Sequence, residues 1–190
     1  MVGVHFGTLD YKLPLMFADG SSIYKKFAKE HILHKIGFFI MAPSGAGKTY
    51  FMDRQKGKHW LDGDTLWEAT NAHPKGFWWT WGLDVITEID QRSDIITIQA
   101  KKLGFWIIGA SNNFLKPDAI VLPHWSTHKR YILQRESKNY DGGATSDRLG
   151  QVLGHRRWIR KWVKQGVPCF KSVKEATDFL AKSYTNSSSA

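Results

Sequence analysis

The chain has 190 residues, 42% hydrophobic and 14% aromatic, and its 27 Lys and Arg against 17 Asp and Glu give a net charge of +10. That size and composition describe one folded globular domain with a proper core. One cysteine, Cys169, excludes an internal disulfide, and no apolar run is long enough for a membrane span.

Cys169 lies in an apolar stretch and reads as a small buried hydrophobe, which points to a reducing, cytoplasmic setting. The start, Met1 to Phe6, lacks the basic and apolar regions of a signal peptide. Ser21 or Ser22 caps a first helix to about His31, with Ile23, Phe27 and Ile32 on its inner side. The apolar run Ile36 to Met41 is a first strand, and Thr49 to Arg54 a short helix after it. A second strand is expected over 58–62. Ile86, Ile89, Ile96, Ala100 and Leu103 recur at three- and four-residue spacing, which predicts a helix over 83–103. Strands follow at 105–108 and at 119–122, the latter stopped by Pro123. Helices are predicted near 127–137 and 146–165, separated by Asn139 to Gly143. Pro168 makes a fifth strand, 167–170, an edge strand. Ser172 and Glu175 form a capping box for a last helix with Val173, Ala176, Phe179 and Leu180 inward. Residues 183–190 are expected as a disordered tail. Five short apolar strands joined by helices predict an α/β protein with a five-stranded parallel sheet covered on both faces.

Between the first strand and its helix stands Ala42-Pro-Ser-Gly45-Ala-Gly47-Lys48-Thr49. Glycines there let successive backbone N–H groups turn inward around phosphate oxygens. Lys48 reaches terminal phosphates, and the Thr49 hydroxyl ligates the Mg²⁺ that accompanies them. About fourteen residues on, the second strand ends Leu61-Asp62-Gly63-Asp64. Two carboxylates one residue apart at a strand end can divide two tasks: one holds the metal's hydration shell, the other takes a proton from an acceptor hydroxyl. The competing reading makes Asp64 a helix cap.

Charge is concentrated between His124 and Lys164, where ten Lys and Arg face three carboxylates. Such a patch suits a polyanion. Five of nine tryptophans fall between 60 and 81. Most belong in the core, but adjacent Trp78 and Trp79 point to opposite sides of an extended segment, leaving one ring for a ligand or an interface. His73, His124, His128 and His155 lack metal-ligand spacing and read as packing or surface residues.

Loop, short helix and Asp-x-Asp strand end together resemble the P-loop kinases of the nucleotide, shikimate, gluconate and adenylylsulfate kinase group. The Leu61-Asp62-Gly63-Asp64 string is similar to the gluconate and adenylylsulfate kinases, and the layout to the kinase domain of phage-type polynucleotide kinases. The resemblance covers about 36–182, leaving 1–35 as an N-terminal extension with a helix. It implies a three-layer P-loop NTPase fold with a helical lid over about 135–157, and ATP with Mg²⁺ as cofactors. Ser44, Gly45, Ala46, Gly47, Lys48, Thr49 and Tyr50 would hold the phosphates, with Arg148 and Arg157 from the lid. Thr49 and Asp62 would serve the metal, Asp64 would be the general base, and Arg135 and Arg156 would act with Lys48 on the transferring phosphoryl group. The third strand ends Gly109-Ala110-Ser111-Asn112, without the Asp many P-loop ATPases carry there, which favours a kinase over a motor; Asn112 and Asn113 fall near an acceptor. The expected activity is transfer of the ATP γ-phosphoryl to a nucleoside, nucleotide or nucleic-acid end. A gluconate-type kinase and a non-catalytic nucleotide-binding module using its basic face are the other readings.

Overall fold

The computed structural model describes residues 17–138 and 143–188. In chain order these give α1 (Phe17–Glu30), β1 (Phe38–Met41), α2 (Lys48–Met52), β2 (Trp60–Asp62), α3 (Gly63–Ala69), α4 (Leu83–Lys102), β3 (Trp106–Gly109), β4 (Ala119–Val121), α5 (Trp125–Glu136), α6 (Leu149–Lys164), β5 (Cys169–Phe170) and α7 (Val173–Ser188). All five strands are parallel, in the order β2-β3-β1-β4-β5. β5 pairs only with β4, the edge position that Pro168 dictates.

Strand side chains alternate between two cores, as a period of two requires. Phe39, Met41, Leu61, Ile107 and Ile120 point to one face, where they meet Tyr24 and Phe27 of α1, Leu66 and Trp67 of α3, Ile96 and Ala100 of α4, and Ile159 and Trp162 of α6. Ile40, Trp60, Trp106, Ile108, Ala119 and Val121 point to the other, against α2 and against Val173, Ala176 and Leu180 of α7. Helices on both faces make three layers. Asp118 stitches the lower edge: its carboxylate accepts the Phe39 N–H and the Lys101 ammonium, each at 2.6 Å. Nearby, His34 stacks 3.6 Å from the Trp106 ring and faces His59, with 3.5 Å between ring nitrogens. Burial and the neighbouring His59 push His34 down to about 4.

Several expectations need correction. α1 begins before Ser21 and Ser22, which lie inside it, and Ile32 falls beyond its end, exposed. β1 starts two residues later than expected because Ile36 is exposed and gives its carbonyl to the Trp106 indole. Leu103 faces water at the end of an otherwise correct apolar stripe, and Phe179, within α7, is exposed with its ring 5.1 Å from that of Phe170. Cys169 is exposed, since an edge strand has a neighbour on one side only. The capping box forms with a shifted partner: Ser172 Oγ accepts the Glu175 N–H, while Glu175 returns to the Lys171 N–H. α7 runs to Ser188, through most of the expected tail. The Met1 to Phe6 start and residues 139–142 and 189–190 lie outside the described residues. Among the described residues no helix is long and apolar enough to cross a membrane.

Candidate functional site

β1 is followed by α2 on one face, and its neighbour β4 leads to α6 on the other. In an open parallel sheet the crevice outside the carboxyl ends opens where outgoing connections diverge in this way. The glycine-rich loop fills that position. Gly45 and Gly47 have φ of 82° and 95°, a region that favours glycine. A Cβ on Gly45 would also come 2.8 Å from Ile132 Cγ1 and 3.2 Å from His128 Nε2, so α5 leaves no room there. Lys48 is 8% exposed and its ammonium donates across the loop to the Ala42 carbonyl at 3.2 Å.

Ser44 is held at both ends. Its hydroxyl oxygen accepts the Ala144 N–H at 3.0 Å, and Arg135 donates to the Ala144 carbonyl. Its own carbonyl lies 2.8 Å from His128 Nε2. Arg156 then sets the tautomer of that histidine. Its Nη1 lies 2.9 Å from His128 Nδ1, and a guanidinium only donates, so Nδ1 accepts and Nε2 carries the proton given to Ser44. Arg156 Nη2 donates to the Pro123 carbonyl at 2.8 Å. Burial holds His128 down at about 4; the charges of Arg156, Lys48 and Arg135 push the same way, against the Ser44 carbonyl.

β2 delivers the two carboxylates. Asp62 Oδ1 accepts the Asp64 N–H at 3.0 Å and is the N-cap of α3. The capping role therefore falls to Asp62, and Asp64 lines the cleft without it. Asp62 is pushed up to about 6 by burial and then by the charge of Asp64, against the ammonium of Lys48. Glu68, one turn beyond Asp64, is raised by burial and by the same neighbour. Beneath them lies Trp67, fully buried, its indole N–H donating to Thr97 Oγ1 at 3.0 Å. A Cβ on Gly109 would sit 2.1 Å from that ring, and one on Gly63 2.8 Å from it. Trp67 occupies the space a side chain at the end of β3 would take, which accounts for the missing Asp there.

The far wall comes from α4 and the loop after β3. Ser111 Oγ donates to Asp90 Oδ1 at 2.7 Å. Burial pushes Asp90 up to about 7, assisted by Asp94 and opposed by Ser111 and Lys161. Asp94 Oδ2 accepts the N–H groups of Asn113, Phe114 and Leu115 at 2.9, 2.8 and 3.2 Å, which fixes that loop. Asn113 lines the cleft, whereas Asn112 is buried and turned to the Leu115 carbonyl. Trp78 and Trp79 lie in a single 3₁₀ turn rather than an extended segment; Trp78 is buried against His73, and Trp79 and Trp81 line the cleft half-buried. His73 faces Ser93 Oγ at 2.9 Å.

The structure thus brings Ser44, Gly45, Ala46, Gly47, Lys48, Thr49, Tyr50, Asp62, Asp64, Arg135 and Arg148 to one open cleft of about 2720 Å³. That is several times the roughly 300–1,000 Å³ of a pocket for one small ligand. Thr49 and Tyr50 are exposed at its mouth, with the Arg54 guanidinium 3.7 Å over the Tyr50 ring. Arg148 lies 5.7 Å over Phe77. Arg156 and Arg157 do not line the cleft: Arg156 is buried on His128, and Arg157 is exposed elsewhere. Asp90, Ser111 and His128 were not foreseen. Asp90 did leave a signal, since Asp90, Ser93, Asp94 and Thr97 share helical spacing with Ile89 and Ile96, a polar set on the buried side of α4. No family model, curated protein or solved structure matches the chain.

Proposed function

We propose that this chain is an ATP- and Mg²⁺-dependent phosphotransferase of the P-loop kinase type, moving the ATP γ-phosphoryl to a hydroxyl or phosphate of a nucleoside, nucleotide or nucleic-acid end. One observation carries the reading: the glycine-rich loop with Lys48, and the pair Asp62 and Asp64, converge on the same cleft at the carboxyl ends of the sheet. Loop N–H groups and Lys48 would hold the phosphates, with the ammonium exchanging the Ala42 carbonyl for phosphate oxygen. Arg135 and Arg148 would face the transferring group from the opposite side.

Among the described residues no three His, Cys, Asp or Glu gather into a metal site. A Mg²⁺ bound with phosphates needs few protein ligands. Thr49 and Asp62 fit that part, because burial and the charge of Asp64 raise the proton affinity of the Asp62 carboxylate, which favours a cation beside it. When bound, Mg²⁺ neutralises charge on the phosphates. Asp64 would accept the acceptor's proton as its oxygen forms the bond to phosphorus and the bond to the ADP oxygen breaks.

The test is γ-phosphoryl transfer from labelled ATP to nucleosides, nucleoside monophosphates, sugars and 5′-hydroxyl oligonucleotides. Lys48→Ala is expected to abolish transfer and weaken ATP binding. Asp64→Asn is expected to lose transfer by at least about 100-fold, as removal of a general base does, while still binding ATP. Full turnover by Asp64→Asn would refute the base assignment, and ATP binding without transfer to any acceptor would leave a nucleotide-binding module.

A further inference from the structure

We infer that the reacting end of the acceptor is an uncharged hydroxyl rather than a phosphate group, carried on a molecule with a flat or apolar body. The inference rests on the phosphotransferase reading above and divides the acceptor classes that reading leaves together.

The wall that α3 and α4 give the cleft is acidic, while Arg135, Lys138, Arg148, Lys171 and Lys174 line it elsewhere. Asp64, Glu68 and Asp90 line it, and Asp62 stands beside Asp64. A phosphate monoester brings between one and two further negative charges and needs donors or cations to meet them. The acidic wall itself supplies no cation to meet that need. His73 is buried and held neutral, down at about 4, by desolvation. Lys75 stands exposed at the rim. Lys161 donates to the Asn113 carbonyl with its charge 3.7 Å over the Trp158 ring. Arg148 stacks on Phe77 with Asp147 3.6 Å from its Nε.

What the wall does offer suits a neutral ligand. Ser111 occupies one oxygen of Asp90, and a carboxylate retains acceptor capacity on the other for a ligand hydroxyl. The Trp79 indole N–H is shut off from solvent and has no partner among the described residues, and its ring lines the same wall. Trp81 adds a second face on which a base or a sugar ring can lie. Burial raises Asp90 and Glu68, a sign that this wall already resists more negative charge. The chemistry agrees. A hydroxyl must lose its proton as it attacks and needs Asp64, whereas a phosphate oxygen is already anionic at neutral pH. In the balanced step the hydroxyl oxygen bonds to the γ-phosphorus, its proton passes to Asp64, and the electron pair of the broken bond leaves with ADP.

The experiment is equilibrium binding to the full chain, with Mg²⁺ and a non-hydrolysable ATP analogue saturating the loop. The probes are matched pairs: thymidine and its 5′-monophosphate, glucose and its 6-phosphate, and 5′-hydroxyl and 5′-phosphoryl oligothymidylate. In at least one pair the hydroxyl member is expected to bind ten-fold or more tighter than its phosphorylated counterpart. The double variant Glu68→Gln, Asp90→Asn should weaken the hydroxyl member and tighten the phosphorylated one, closing the gap several-fold. Equal or tighter binding of the phosphorylated members in the unaltered chain overturns the inference, as does binding of neither member of any pair. If the ATP analogue itself does not bind, or binds equally to Lys48→Ala, the phosphotransferase reading falls first and takes this inference with it.

Discussion

His128 Nε2 lies 2.8 Å from the Ser44 carbonyl oxygen and ties α5 to the glycine-rich loop across 84 residues of chain. Arg156 stands behind it as a donor, so the imidazole has one tautomer and one orientation. Arg156 is thus a positioning residue for the loop, in place of the phosphate-covering part that its sequence position suggests.

Replacing His128 separates these two contacts. His128→Gln keeps a donor near Nε2 for Ser44, whereas His128→Asn keeps only the acceptor that Arg156 needs. His128→Leu keeps neither and leaves the Ser44 carbonyl and the Nη1 donor of buried Arg156 without these partners, which costs about 1–3 kcal/mol. Titration calorimetry with ATP should rank affinity wild type, Gln, Asn, Leu, the last weaker by about ten-fold. Equal affinity across the series would show that the loop does not depend on this contact.

Stability should fall on mild acidification. Burial holds His34, His73, His128 and His155 down at about 4, against about 6.5 in an unfolded chain. The fold keeps them neutral while the unfolded chain takes up protons, so this stability is complete above pH 6.5 and is lost as pH falls towards 4. For fully buried His128 the loss is on the order of 3 kcal/mol. Asp62 and Asp90, raised to about 6 and about 7, act in the opposite sense together with Glu68 and Asp94, which are also raised, and offset part of this loss. Urea titrations between pH 7.5 and 4.5 should show a declining midpoint, with a shallower decline in His128→Gln.

Asp62 predicts a pH dependence in ligand binding. With its carboxyl at about 6, affinity for Mg²⁺ with nucleotide should decline below pH 6 as the carboxylate protonates. Lys48 lowers Asp62, so Lys48→Met should move the midpoint of Mg²⁺ binding to higher pH. An unchanged midpoint would mean that another group controls it.

Gly109→Ala should be among the most damaging single-methyl additions in the chain. The new Cβ would lie 2.1 Å from the Trp67 ring, which is fully buried and tied to Thr97. Overpacking of this kind costs about 1–3 kcal/mol or more. Thermal melting should show a drop of several degrees or more relative to a surface control such as Gly150→Ala, where a Cβ meets nothing.

Much of the architecture was legible because it depends on short-range patterning. The apolar run that ends in Phe39, Ile40 and Met41 placed β1, and three- and four-residue spacing placed α4. The errors at Ile32 and Leu103 sit at helix ends, where periodicity continues past the point at which the neighbour stops; Phe179 lies within α7, at the rim of its buried stripe. The loop and Asp62 with Asp64 were visible because their spacing is local. His128 and Asp90 were not, since their meaning lies in partners 84 and 21 residues away. Trp78 and Trp79 do divide between core and cleft, but through a 3₁₀ turn and not through the extended backbone expected there.

The indole beneath Gly63 and Gly109 has a consequence for how this sequence can change over time. Residues 63 and 67 belong to α3 and residue 109 ends β3, yet one ring fixes the permitted size at all three. A larger residue at 63 or 109 becomes admissible only after position 67 has shrunk, and a smaller residue at 67 opens a void unless the other two grow. The three positions should therefore vary together or not at all, so a descendant that gained a carboxylate at the end of β3 would first have to give up this tryptophan.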